Sequence, residues 1–316
     1  MTETIAIGKT DLNVPPLGLG TWQWGDRGVW QYGAGYTQSD VEAAYRESRA
    51  AGITFFDTAE IYGRGLSEKI LGPLVRVERG EVIVATKFAP FPYRLTASTL
   101  PKALDASLAR LGLEQVDLYQ IHWPWGAMIS IERLMDALAD QVERGKVRAV
   151  GVSNYTASQM RRAHAALAKR GIALASNQVH YSLLHRKPEQ NGVLAACREL
   201  TVRLIAYSPL EKGALTGKYH QGVTVSGARA RNRHFRPAAL QASAPLIEVM
   251  TSIGAAHGGK TPAQVSLNWL IHQGALPIPG AKNAGQATSN AGALGWSLTD
   301  VEFEQITQAA NKAISG

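Results

Sequence analysis

Eight short stretches of this chain are apolar almost without interruption: Leu17–Thr21, Ile53–Phe56, Val82–Thr86, Val116–Ile121, Arg148–Val152, Ala175–Val179, Arg203–Tyr207 and Leu276–Ile278. Strands covered on both faces read this way, whereas half-exposed strands alternate. Between the runs, apolar positions recur every three or four residues. After Ile129, for example, Ile131, Leu134, Met135, Leu138 and Val142 share one helical face, Glu132, Arg133, Asp136 and Asp140 lie elsewhere, and Gly145 ends the segment. Helix starts are marked as well. Ser39-Asp-Val-Glu42 reads as a capping box with Gly52 at the far end, and Thr156-Ala-Ser-Gln159 and Thr299-Asp-Val-Glu302 read as two more. Thr261-Pro262-Ala-Gln264 adds proline at the first helical position.

Strands alternating with helices imply a parallel sheet with right-handed crossovers, and eight such units predict a closed α/β barrel of the (β/α)8 TIM type. The expectation is one barrel domain over residues 1–316. The interval before the last strand is longer than the others. It holds a loop at about 211–240 and an extra helical segment, and a loop of that length inside a compact domain is usually functional. A doubly wound sheet is the weaker reading. Gly18-Leu-Gly20 has Gln23 where a third glycine belongs, and no helix opens there.

Composition narrows the class. The chain has 316 residues, of which 45% are hydrophobic and 18% charged, which excludes a disordered chain and a coiled coil. The lone Cys197 excludes an internal disulfide and a multi-cysteine metal site, and is expected to be a small core residue. No apolar stretch reaches the roughly 20 residues of a membrane span. No secretory leader is expected either, so the expected location is cytoplasmic. A net charge of +8 suggests an anionic partner. The densest basic run, Arg229-Ala-Arg231-Asn-Arg233-His234-Phe235-Arg236, lacks the aromatic interleaving of a single-strand binder. It reads as a loop gripping the phosphates of a small ligand, with no nucleic-acid partner.

In a barrel the chemistry lies at the carboxyl ends of the strands. Reading past each apolar run brings four titratable groups together from three consecutive strands: Asp57, Tyr62, Lys87 and His122. Each alone has an ordinary explanation as a loop anchor or a satisfied core residue. Together they form a proton-transfer device. A lysine near a phenol stabilises phenolate, an aspartate holds that lysine, and a histidine bonds a substrate oxygen or helps pass the proton. Tyrosine then acts as a general acid nearer neutrality than its free pKa of about 10 allows. No metal is expected.

The strand-end sequences also carry a resemblance. Gly18-Leu-Gly-Thr-Trp22, Phe56-Asp-Thr-Ala-Glu-Ile-Tyr-Gly63, Thr86-Lys87, Gln120-Ile-His-Trp123, Gly151-Val-Ser-Asn154, Asn177-Gln-Val179, Ala206-Tyr-Ser-Pro-Leu210 and Ile278-Pro-Gly-Ala-Lys282 resemble the aldo-keto reductase family, in register from about residue 5 to residue 310. Pro277-Ile-Pro-Gly-Ala-Lys-Asn283 is similar to the bacterial and plastid-type members. The resemblance implies an oxidoreductase that reduces a small carbonyl compound with NADPH, with Asp57, Tyr62, Lys87 and His122 as catalytic residues. It also implies that Thr21, Trp22, Asp57, Ser153, Asn154, Gln178, Tyr207, Ser208, Pro209, Leu210, Gly213, Leu215, Gly280, Ala281, Lys282, Gln286 and Asn290 hold NADPH or NADP+. Lys282 is expected at the 2′-phosphate and Tyr207 against the nicotinamide. Trp24, Trp30, Trp123 and Trp125 are expected to wall the substrate pocket, beside a glycine-rich loop over 26–36. Two rivals remain. One is an NADPH-sensing regulatory subunit with vestigial catalysis; the other is a barrel aldolase using Lys87 as a Schiff-base nucleophile.

Overall fold

The computed structural model describes residues 3–124, 128–225 and 227–315. Strands β1 (Ile5–Ala6) and β2 (Asn13–Val14) form an antiparallel hairpin. Eight parallel strands follow: β3 (Leu19–Gly20), β4 (Phe55–Asp57), β5 (Ile83–Phe88), β6 (Val116–Ile121), β7 (Val147–Ser153), β8 (Leu174–His180), β9 (Arg203–Tyr207) and β10 (Leu276–Pro277), each paired with the next in chain order. The two edges meet. The Gly18 N–H donates to Pro277 O at 3.0 Å and the Gly20 N–H to Pro279 O at 3.1 Å, which closes the sheet into the (β/α)8 barrel. The eight apolar runs are these strands, to within a residue or two at their ends.

The barrel interior is layered. Phe55, Ala85, Leu118, Ala149, Ile205 and Leu276 form an apolar floor, and Ile7, Leu12 and Val14 of the hairpin region join it. Residues on the other face of the same strands, such as Phe56, Val84, Tyr119, Val150 and Leu204, pack in the outer core with the helices. Those helices are α1 (Gln38–Ala50), α2 (Leu66–Arg76), α3 (Thr99–Leu111), α4 (Ile131–Glu143), α5 (Ala157–Ala168), α6 (Lys187–Gln190), α7 (Val193–Leu200), α8 (Pro237–Ala256), α9 (Pro262–His272), α10 (Ala284–Ala291) and α11 (Asp300–Ser315). The extra helical segment is α8, which packs against α11. The loop before it forms four short 3-10 turns between residues 211 and 235. Cys197 is buried on α7, and burial pushes its thiol up to about 12, as suits a core residue.

Two local readings are corrected. The first helix is capped by Thr37, not Ser39: the Asp40 carboxylate accepts the Thr37 N–H at 2.7 Å, so the box is Thr37–Asp40. Ser39 is the second residue of the helix, where its hydroxyl bonds Thr37 Oγ1. The boxes at Thr156, Thr261 and Thr299 form as read. The second correction is the hairpin, which has no counterpart among the eight runs. Among the described residues no helix is long and apolar enough to cross a membrane.

Closure depends on backbones meeting without side chains between them. A Cβ on Gly20 would lie 2.9 Å from Ile278 O, whereas one on Gly35, in the 26–36 loop, meets nothing within 4 Å. Gly20→Ala should therefore destabilise the fold by about 1–3 kcal/mol, the usual cost of overpacking, while Gly35→Ala leaves it unchanged. Urea midpoints of the two variants check this, and equal midpoints count against closure through this contact.

Candidate active site

The carboxyl ends of the barrel strands surround a cavity of about 840 Å³. Its wall includes Asp57, Tyr62 and His122 together with Trp22, Trp123, Gln178 and Tyr207. Lys87 lies directly behind, with 0% exposure, and Asp57 has 1%. The Lys87 ammonium has three hydrogens and three acceptors. It donates to Asp57 Oδ1, to the Thr58 carbonyl at 2.8 Å and to the Tyr62 hydroxyl at 3.4 Å. Tyr62 opens the 3-10 turn Tyr62–Gly65 just past β4. His122 follows β6, and its N–H bonds Phe88 O at 2.8 Å, tying the ends of β5 and β6. The Tyr62 and His122 rings meet edge to face with centroids 5.8 Å apart. Trp22 flanks Tyr62 at 6.3 Å, and Trp123 flanks His122 at 4.7 Å.

The electrostatics differ from the expectation in one respect. Burial, followed by the Asp57 charge, holds the Tyr62 hydroxyl well above its ordinary value, so it is protonated at neutral pH. The lysine charge was expected to lower it, but Asp57 lies against the ammonium and offsets its field. Burial also lowers Lys87, against the pull of Asp57. Burial and the Lys87 charge push His122 well below the usual histidine range, so its imidazole is neutral. His122 Nδ1 is buried without a hydrogen-bond partner. Placing the ring hydrogen on Nε2 leaves no buried N–H unpaired.

Most other expected site residues also reach the cavity wall: Ser153, Asn154, Ser208, Pro209, Leu210, Gly213, Gly280, Lys282, Gln286, Asn290 and Trp30. Tyr207 donates its hydroxyl to Asn154 Oδ1 at 3.0 Å and stacks on His180 with centroids 5.3 Å apart. Asn154, Ser208 and Lys212 have φ of 62°, 52° and 56°, in the left-handed region. For Ser and Lys that conformation costs of order 1–3 kcal/mol, and such strain clusters at ligand sites.

Four expected residues are buried away from the wall. Trp24 is fully enclosed, its indole donating to Ala281 O at 2.9 Å. That contact turns it into the barrel rim and away from any substrate, and Ala281 is enclosed with it. Thr21 donates its hydroxyl to Asp57 O at 3.0 Å and lies 2.7 Å from Ser67 Oγ, so it locks the strand end. Leu215 is core. Trp125 lies outside the described residues. Of the basic run, Arg229 alone lines the cavity.

Lys282 is not a freely solvated lysine. Its Nζ donates to Trp30 O at 3.0 Å and sits 4.4 Å from the Tyr36 ring centroid. Burial and the Arg229 charge push it down to about 8. Lys212, Arg229 and Lys282 all line the cavity, and among the described residues none has a carboxylate within 4.0 Å. Lys212 and Gln23, also on the wall, had escaped notice, although both adjoin strand-end motifs. Cations without a carboxylate beside a polar cavity fit a multiply charged anion such as a dinucleotide phosphate; the buried Gln23 Oε1, an acceptor without a partner, fits a ligand donor instead.

The profile of the Aldo/keto reductase family matches residues 16–311. The chloroplastic pyridoxal reductase of Arabidopsis thaliana is 40% identical over 314 residues, covering 96% of this chain and 85% of that protein. Among solved structures, the glycerol dehydrogenase of Gluconobacter oxydans is similar with a TM-score of 0.85 at 26% identity, covering 99% of this chain and 96% of that one. An aldo-keto reductase from Klebsiella pneumoniae in complex with NADPH gives 0.76 at 27% identity, covering 98% and 95%.

The buried ion pair has a stability consequence. Lys87→Met leaves Asp57 enclosed with only neutral partners, and removing one member of a buried pair costs about 3–5 kcal/mol. The two amide donors that remain on Asp57 place the cost at the low end of that range. The double variant Asp57→Asn/Lys87→Met should recover part of the loss. Denaturant titration of the three proteins checks this; a double variant less stable than Lys87→Met contradicts it.

Proposed function

Since the chain belongs to the aldo/keto reductase family of NADP-dependent oxidoreductases, we propose that it reduces an aldehyde or ketone to the alcohol, with Tyr62 as the proton donor. The observation that carries this reading is the Lys87 ammonium, bonded at once to Asp57 and to the Tyr62 hydroxyl, with Tyr62 and His122 facing one cavity. NADPH, when bound, supplies the hydride. The protein's part is the proton on Tyr62 Oη. Tyr62 begins protonated, as a general acid must. As its proton leaves, the Lys87 charge 3.4 Å away stabilises the phenolate. Asp57 keeps that ammonium in place, and neutral His122 offers an N–H to the substrate oxygen. Trp22 and Trp123 give a planar carbonyl compound an aromatic wall. Pyridoxal belongs in the first substrate panel, because a relative is named for it.

Ser153, Asn154, Gln178 and Tyr207 are the residues proposed to hold the nicotinamide, and Ser208–Leu210 and Gly213 the diphosphate. Gly280, Lys282, Gln286 and Asn290 are assigned to the adenosine end. The setting proposed is the cytoplasm, with the whole chain one barrel domain. The aldolase alternative is disfavoured, because Lys87 is fully enclosed behind the cavity wall with its hydrogens engaged.

Tyr62→Phe deletes the transferable proton and keeps the ring. Its kcat for aldehyde reduction should fall about 10²–10⁴-fold, the usual worth of general acid catalysis, with NADPH affinity by fluorescence titration unchanged. Near-normal turnover in this variant removes Tyr62 from the role. A parent that binds NADPH tightly yet reduces no member of a broad aldehyde panel is a sensor and not a reductase.

Lys282→Met keeps the stem between Trp30 and Tyr36 and removes the charge. A hydrogen bond to a charged group is worth roughly 1.5–3 kcal/mol, so NADPH should bind about 10- to 150-fold more weakly while NADH is little affected. Isothermal titration with both nucleotides decides this. Equal loss for the two places Lys282 away from the 2′-phosphate.

A further inference from the structure

Asp57 has a second carboxylate oxygen, and two amides hold it. Gln120 on β6 donates from Nε2 to Asp57 Oδ2 at 3.1 Å, and Gln178 on β8 donates to the same atom at 2.8 Å. A carboxylate paired with an ammonium only accepts, so each amide must turn its NH2 toward Asp57. The Gln120 carbonyl oxygen faces the Ser176 hydroxyl, 3.5 Å away. The barrel makes room for this side chain: a Cβ on Gly151 of β7 would lie 2.3 Å from Ser176 Oγ and 3.0 Å from Gln120 Cγ. Gln120 is fully enclosed and is not on the cavity wall, so it has no access to substrate. Leu118, two residues earlier on β6, belongs to the apolar floor. The charged groups near Gln120 are Asp57 on β4 and Lys87 on β5, whereas β7 and β8 offer only Gly151, Ser176 and Gln178.

We propose that Gln120 is a positioning residue for the proton transfer: with Gln178 it saturates Asp57 Oδ2, so that Oδ1 alone faces the Lys87 ammonium and the ammonium is held against the Tyr62 hydroxyl. The proposal rests on Tyr62 as the proton donor. Without the Gln120 donor, Oδ2 keeps Gln178 alone, and the carboxylate has more freedom to turn about its own bond between Gln178 and the Lys87 ammonium. The ammonium then redistributes its hydrogens among Asp57, the Thr58 carbonyl and Tyr62. Misplacing reacting groups by about 1 Å costs on the order of 10²-fold in rate.

The test compares Gln120→Leu, which keeps most of the volume and deletes the donor, with Gln120→Glu, which keeps the shape and makes the donor depend on pH. In Gln120→Leu, kcat with NADPH and para-nitrobenzaldehyde should fall roughly 10- to 100-fold. The aldehyde KM and the NADPH dissociation constant should stay within about twofold, as expected when ground-state binding is untouched. In Gln120→Glu, the protonated side chain donates to Asp57 as the amide does, and the ionised one repels it. Its kcat should approach the parent's near about pH 5 and drop as pH rises toward about 8, because facing carboxyls raise the pKa of the pair. The thermal midpoint of the cofactor-free protein gives a second readout. A raised folded-state pKa means the deficit of Gln120→Glu relative to the parent is smallest below the unfolded-state carboxyl pKa of about 4.3, grows as pH rises from there to the folded-state pKa, and levels off above it. The deficit of Gln120→Leu should not change with pH.

Should the leucine variant not fold, Gln120→Glu decides alone. An active parent with Gln120→Leu at parental kcat overturns this proposal and leaves the functional reading standing. So does a loss of NADPH affinity in step with kcat. A parent inactive toward every aldehyde overturns the functional reading, and this proposal with it, whatever the thermal midpoints show.

Discussion

A lysine and an aspartate lie side by side in the middle of a barrel whose floor is entirely apolar, and much of the upper barrel is arranged around that fact. Desolvating two charges costs several kcal/mol each even in a real protein interior, and their attraction repays this only if the remaining lone pairs and hydrogens are met. Every hydrogen of Lys87 has an acceptor, and both oxygens of Asp57 have donors. The partners come from β4, β5, β6, β8 and the turn after β4. A closed parallel barrel is one of the few architectures that brings that many strand ends around one point. The ion pair therefore depends on closure, and closure on the bare backbones of Gly18 and Gly20 meeting β10 and the segment just after it.

The two ends of the cavity are built differently. The proton-transfer groups lie on or next to strands, where ladder bonds fix the backbone. The cations come from irregular segments: Lys212 from a 3-10 turn with left-handed φ, Arg229 from the 227–231 turn, Lys282 from the turn before α10. On the proposed reading, the groups that would meet reacting atoms are on the rigid part, and those that would meet a distant charge need less precise placement. Coulombic attraction falls off slowly with distance, so a loop is an adequate platform for it.

Much of this was legible in the sequence. Strands buried on both faces leave unbroken apolar runs, and the first polar residue after each run is where a barrel exposes chemistry. Reading that way brings Asp57, Tyr62, Lys87 and His122 together, and the structure places three of them on one cavity wall with Lys87 directly behind. What escaped notice has physical reasons. The hairpin strands are two residues each, too short for any period to show. Ser39 and Thr37 are both good caps two residues apart, and only the reach of Asp40 chooses between them. Trp22 and Trp24 look alike on one loop, yet a turn sends one to the cavity and the other under Ala281. Gln120 sits inside an apolar run and reads as a tolerated polar residue until the Asp57 oxygen is seen opposite it. The direction of the Tyr62 shift is not legible in the sequence, which shows that a lysine is near but not how deeply the hydroxyl is buried or how close Asp57 lies.

The pairing of Lys87 with Asp57 bears on how the site divides its labour. A lysine left unpaired would lower the tyrosine pKa. With Asp57 beside it that pull is offset in part, and burial keeps the phenol protonated. The cation end follows the opposite logic. Lys212, Arg229 and Lys282 have no carboxylate within 4.0 Å among the described residues, and Lys282 is already pushed down by burial and by Arg229, with Asp26 opposing only in part. An anion bound there would relieve the mutual repulsion and raise the proton affinity of Lys282. One charge in this protein is met by a buried carboxylate, and three others on the cavity wall have no carboxylate within 4.0 Å among the described residues.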